Sequence, residues 1–155
     1  MDPVFASQSA LIYLMYYIVQ IIVYRPFTTQ PYCSSAVRKD QIDLYSAKAL
    51  RASTVAARAI VRVLQAQNTA GVVSPDGVLY AAYYATGQLL LRVWDLKARE
   101  KAQKGKQNKN IILGNGDSSK LSPAQEIDEL MADVYVVMGL FEKAREKWDF
   151  AQPIL

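Results

Sequence analysis

Few residues in this chain have the type and spacing that chemistry requires. Glu129 and Asp133 stand four apart, so a helix would bring both carboxylates to one face, an arrangement that can hold a divalent cation. The chain contains no histidine and no third ligand accompanies the pair, so a solvated helix face is the simpler reading. The single thiol, Cys33, can form neither an internal disulfide nor a cysteine-rich zinc site, which points to a small buried residue in an intracellular protein. The turn Gly114-Asn115-Gly116-Asp117-Ser118 looks like a phosphate or calcium loop in outline only. No Gly-Lys-Ser/Thr follows it, and the ligand spacing of a calcium loop is not met. The absence of histidine also removes Ser-His-Asp and Cys-His catalysis and any imidazole proton relay. No nucleophile, base or metal site stands out, so no enzymatic activity and no cofactor are expected of this chain.

The net charge of +4 is concentrated in one place. Between positions 97 and 109, Lys97, Arg99, Lys101, Lys104, Lys106 and Lys109 are opposed only by Glu100, a local excess of +5 that leaves the rest of the chain at −1. With Gly105, Asn108 and Asn110 beside them and no interleaved aromatics, these residues read as a helix end running into a solvated loop. They are a weak candidate for a phosphate-binding or nuclear-localisation tract. Arg51, Arg58 and Arg62 form a second basic stripe. It lacks polar base-reading residues and basic flanks, so a solvated or salt-bridged face is expected there and specific DNA binding is not.

The elements that must carry these residues are helices. A hydrophobic content of 52% over 155 residues excludes general disorder and suffices for one domain with a core. Residues 10 to 27, ALIYLMYYIVQIIVYRPF, are apolar almost without interruption. From Ala10 to Tyr24 the run is short for a membrane span, which needs about 17 to 25 apolar residues. The chain opens Met1-Asp2-Pro3 instead of with positive charge, which argues against a signal peptide. The hydroxyls of Tyr13, Tyr16, Tyr17 and Tyr24 favour packing in protein over lipid, so a buried core helix is expected. Pro26 is expected to end it, with Arg25 near the last carbonyls and Phe27 folded back as an apolar plug. Arg25, Pro26 and Phe27 would then form a structural corner and not a ligand site.

A second helix is expected from about Asp40 to Gln67, with Leu50, Thr54, Ala57, Ile60, Val61 and Leu64 facing inward. A third follows Ser74-Pro75 and runs from about Val78 into the basic cluster. Its Ala81, Ala82, Ala85 and Gly87 are small enough for a neighbouring helix to approach closely, and Gln88, Arg92 and Asp95 mark packing against protein instead of lipid. Residues 104 to 121 read as a mobile loop. Ser122-Pro123-Ala124-Gln125 is a capping box that opens a fourth helix with Ile127, Leu130, Met131, Val134 and Met138 on one face. Gly139 is expected to break that helix before a last one carrying Phe141, Ala144, Trp148 and Ala151, with Trp148 as a core anchor. The expected fold is all-α, an irregular bundle of about five helices, with residues 1 to 155 as a single helical domain. Ile18, Ile22, Leu64, Leu90, Val134 and Trp148 are expected in its core.

The segment MYYIVQIIVYRPF resembles the "YH, three residues, I-L-L-H-R-P-F" signature of the middle regulatory domain of fungal binuclear zinc cluster transcription factors. Tyr16, Ile21, Arg25, Pro26 and Phe27 fall in register, while Tyr17 and Tyr24 stand where that family usually has histidine. Downstream, Ala56, Ala57, Arg58, Ala59, Ile60, Arg62 and Leu64 are similar to its "C, two residues, A-A-R-A-I, one residue, R, one residue, L" pattern, with Ser53 in place of the cysteine. Trp148 and Ala151 match "W, two residues, A" in its last helix.

The resemblance implies the C-terminal part of a larger regulatory domain in a nuclear transcription activator or repressor. It implies protein partners, or the rest of the same factor. In the family, zinc and DNA belong to a separate N-terminal six-cysteine module, and no zinc ligand or base-contacting residue can be carried over. A helical adaptor of the tetratricopeptide kind is the first alternative, although no repeat of about 34 residues recurs. A membrane-associated protein is the second, and the less expected.

Overall fold

The structure, a computed structural model, describes residues 3–28, 39–69, 75–107 and 122–149, with side-chain surroundings for 8–28, 44–69, 78–102 and 122–145. Among them are four helices: α1 (Pro3–Thr28), α2 (Lys39–Thr69), α3 (Pro75–Gln107) and α4 (Pro123–Asp149). The all-α reading holds, with four helices where about five were expected. Gly139 does not break α4, because the residues around it are good helix formers and Leu140 and Phe141 pack half-buried on the core. α3 continues through 104–107, where lysine and glutamine outweigh Gly105, so the expected loop begins later than position 104. Cys33, Ser74, Lys109, the 114–118 turn, Ala151 and the side chains of Lys104, Lys106 and Trp148 lie outside the described residues.

α2 and α3 form the centre, and α1 and α4 each pack against both; no contact joins α1 to α4 among the described residues. The central seam is built from small side chains. Ala56 and Ala57 of α2 and Ala81, Ala82 and Ala85 of α3 are at most 1% exposed and share one core with Ile60, Val61, Leu64 and Leu89. Ser53, where the resembling family has cysteine, is fully buried and donates its hydroxyl to the Ala49 and Leu50 carbonyls at 2.8 and 3.1 Å. Its polarity is thus satisfied within its own helix turn.

Leu14, Ile18 and Ile21 dock α1 onto this centre, and Leu130, Val134 and Val137 dock α4. Ile18, Leu64 and Val134 are buried as expected; Ile22 and Leu90 are not, at 44% and 46% exposed. Ile22 lies about 80° round the helix from Leu14 at roughly 100° per residue. α1 is apolar on every side, so periodicity cannot say which side is covered. Leu90 fails for the same reason on α3. It belongs to the exposed stripe of Tyr83, Gly87 and Trp94, beside the inward Leu89 and Val93 and not among them.

Candidate functional site

Several polar side chains among the described residues fasten α4. The Ser122 hydroxyl accepts from the Gln125 amide at 3.3 Å, the Gln125 side-chain oxygen accepts from the Ser122 amide at 3.0 Å, and the capping box is complete. Arg92 of α3, 7% exposed, donates through Nε and Nη2 to Glu126 Oε1 at 3.0 and 2.8 Å and through Nη1 to Asp95 Oδ2 at 2.9 Å. Asp95 also receives Arg99 at 3.0 Å, so a chain of alternating charge runs from the first turn of α4 along α3. On the other flank, Arg58 of α2 donates to Asp133 at 2.9 Å and to Glu129 at 3.1 Å. The carboxylates at metal-like spacing are therefore two jaws closed on a guanidinium. The described residues contain no cluster of three or more metal-ligating groups. Arg58 leaves the basic stripe for this clamp, while Arg51 and Arg62 stay exposed.

α1 is built differently. Among its described residues nine large apolar side chains are exposed: Leu11, Ile12, Tyr13, Met15, Tyr16, Val19, Ile22, Val23 and Phe27. Ile12, Tyr16, Val19 and Val23 form a stripe at i, i+4, i+7 and i+11 diametrically opposite Leu14, Ile18 and Ile21. The helix carries two apolar seams, and the bundle covers one.

The expected corner at Arg25, Pro26 and Phe27 has another form. Pro26 lies inside α1, which continues to Thr28; the proline lacks only the amide that would reach the Ile22 carbonyl, a small loss in a last turn. The Thr28 hydroxyl donates to the Arg25 carbonyl at 2.8 Å and so closes the helix end. Phe27 is 57% exposed and extends the outer apolar seam instead of plugging the bundle. A pattern of ring after proline reads as a fold-back only if the chain turns there, and here α1 runs on through Phe27 to Thr28.

Of the basic tract, Lys97, Arg99 and Lys101 are exposed on α3. They border an open cleft of about 820 Å³ with Leu50, Leu91 and Trp94. Trp94, 76% exposed, is an aromatic that sequence reading overlooked beside this tract: it precedes Lys97 by three positions and Lys101 by seven, on one helix face.

A smaller cavity, about 220 Å³, opens between α1 and α3 and is lined in part by Arg25, Tyr83, Tyr84 and Gln88. Tyr83 and Tyr84 meet edge to face with ring centres 5.8 Å apart, and Tyr80 meets Tyr84 at 4.9 Å. The Tyr80 hydroxyl donates to the Tyr84 oxygen at 3.1 Å, and this bond, with some loss of water, raises the Tyr80 pKa above its ordinary value. Comparison of the chain with protein-family models, with curated proteins and with solved structures finds no match.

Proposed function

We propose that this chain is a regulatory and interaction region of a fungal zinc cluster transcription factor, acting in the nucleus through protein contacts and leaving DNA to a separate module. The observation that carries the reading is a coincidence within α1. The helix that bears MYYIVQIIVYRPF is also the helix whose second apolar seam the bundle leaves uncovered. A patch of this kind marks an interaction site, and stripes at i, i+4, i+7 and i+11 suit the apolar face of another helix. The rest of a larger regulatory domain, or a partner protein, supplies such a helix.

The test joins residues 1–155 to an unrelated DNA-binding module in a fungal reporter strain. Reporter output should change when the chain is joined, and Ile12→Glu with Val19→Glu should cancel the change without lowering the amount of protein. No change on joining, or no effect of the pair, would remove the reading. Purified chain should show no sequence-selective binding to duplex DNA at roughly 200 mM salt, because its positive charge gives only salt-sensitive attraction.

A membrane-associated role is the second reading, and the same helix favours it. Gln8–Thr28 is 21 residues long with a mean hydropathy of 1.4, long and apolar enough to cross hydrocarbon, and 17% of its most apolar window is buried. Against lipid stand Tyr13 and Tyr16, whose hydroxyls would lack partners there, and the exposed Lys48 and Arg51 on the adjacent α2. Carbonate extraction separates the readings: a protein-docked chain is released and a spanning one stays with the membrane.

A further inference from the structure

The outer face of α3 carries a stripe that the bundle leaves uncovered. Tyr83, Gly87, Leu90, Trp94, Lys97 and Lys101 stand at i, i+4, i+7, i+11, i+14 and i+18, so they share one arc of the helix, and all six are exposed. At about 1.5 Å per residue the stripe is roughly 27 Å long. Tyr83 is 70% exposed and Trp94 76%, and Leu90 stands between them. Large apolar side chains lined up in solvent contribute little to folding, whereas tyrosine and tryptophan are enriched at the energetic centres of binding surfaces.

The stripe changes character along its length. Its first half is apolar, and its second half is basic. The carboxylate of Asp95 is already held by Arg92 and Arg99 at 2.9 and 3.0 Å. Lys97 and Lys101 enter no ion pair among the described residues, so the basic half carries unmatched charge. The open cleft of about 820 Å³ adjoins this half, with Leu50, Leu91 and Trp94 among its walls, and gives depth for a partner's side chains.

The same division narrows the occupant. A single-stranded nucleic acid is held by aromatics that track a basic groove, and a membrane surface by an apolar face with cations along its polar flanks. On α3 the apolar and cationic halves follow one another end to end, which complements a helix that is apolar along one face and acidic at one end. Acidic residues are most favourable in the first turns of a helix, so such a helix would run antiparallel to α3.

We propose that the outer stripe of α3 docks an amphipathic helix of a protein partner. Its acidic N-terminal turns lie over Lys97 and Lys101, and its apolar face lies over Tyr83, Leu90 and Trp94. This surface is distinct from the outer seam of α1, and it holds whether or not the chain is part of a transcription factor.

The test follows, by fluorescence anisotropy with the full chain, a labelled helical peptide about as long as the stripe, with glutamates in its first two turns and leucines at i, i+4, i+7 and i+11 after them. A copy carries lysines in place of the glutamates. The glutamate peptide should bind saturably to one site, and the lysine copy about tenfold or more weaker. Lys97→Glu with Lys101→Glu should reverse that order, and Trp94→Ala should weaken the glutamate peptide about tenfold or more. Both variants should melt within about 2 °C of the unaltered chain, because the altered side chains are in solvent. Ile12→Glu with Val19→Glu should leave the affinity unchanged, so the α1 seam and the α3 stripe are judged separately.

The proposal is overturned by absence of saturable binding, by equal affinity for the two peptides, by an unreversed order in the charge-swapped chain, or by unchanged affinity in Trp94→Ala. It is equally overturned by loss of binding in the α1 pair, which would seat the peptide on α1, and by lower melting of both α3 variants, which would make the stripe part of the fold. Oligothymidylate or phosphatidylserine vesicles bound more tightly than the peptide, through the same tryptophan and lysines, would assign the stripe to nucleic acid or to membrane and overturn it as well.

Discussion

α4 is held to the α2–α3 pair by an apolar stripe and by ion pairs on both flanks, whereas α1 docks through an apolar stripe and turns a second one outward. The difference begins in composition. From Pro3 to Tyr24 α1 has no charged residue, while α4 opens with Glu126, Asp128 and Glu129 and carries Asp133 one turn on. Charges on α4 select its orientation, since only one face can be buried while Glu126 reaches Arg92 and Asp133 reaches Arg58. On α1 no charge before Arg25 forbids burial on either side, so the helix is suited to lie between two partners. One of them is the bundle.

The comparison breaks first at the core. Leu64, 1% exposed where α2 meets its neighbours, should lower stability by about 2 to 5 kcal/mol when replaced by alanine. Urea unfolding measures this, and a loss below about 1 kcal/mol would mean that the centre is not where α2 and α3 place it. Next is the fastening of α4. Arg92→Ala leaves Glu126 and Asp95 without their guanidinium and should lower stability by about 1 to 3 kcal/mol. A double-mutant cycle with Glu126→Gln should show coupling between the two positions, and strict additivity would dissolve the α3–α4 link.

Ser122→Ala should cost less, about 0.5 to 2 kcal/mol, with faster amide exchange confined to the first turn of α4. Smallest of all is Phe27→Ala, expected within about 0.5 kcal/mol because the ring is already in solvent. A loss as large as that of Leu64→Ala would restore Phe27 as a plug and close the outer seam of α1.

How much of this was legible in the sequence follows the same division. The start of α4 could be read residue by residue, because Ser122, Pro123 and Gln125 act through local hydrogen bonds that spacing alone specifies. The inward face of α2 was legible too, since arginines alternate with alanine and aliphatic stripes. The assignment of Ile22 and Leu90 to the core, and of Phe27 to a plug, failed where the chain is apolar on all sides and only tertiary contacts decide which side is covered. Glu129 and Asp133 were read as a solvated face, whereas both close on Arg58, a clamp that joins residues 71 and 75 positions apart, beyond the reach of any local pattern. Gln88 was read as a sign of packing against protein. That its amide is buried without a partner becomes visible only once α1 lies across α3.

The most direct test of the central claim, that α1 has one covered and one uncovered apolar seam, is the melting temperature of two variants of the same chain. Ile12→Glu with Val19→Glu charges the outer seam, and Ile18→Ser disrupts the inner one. The account predicts that the charged pair melts within about 2 °C of the unaltered chain, and that the single inner change lowers melting by about 4 °C or more. Equal losses, or the larger loss in the outer pair, would contradict it.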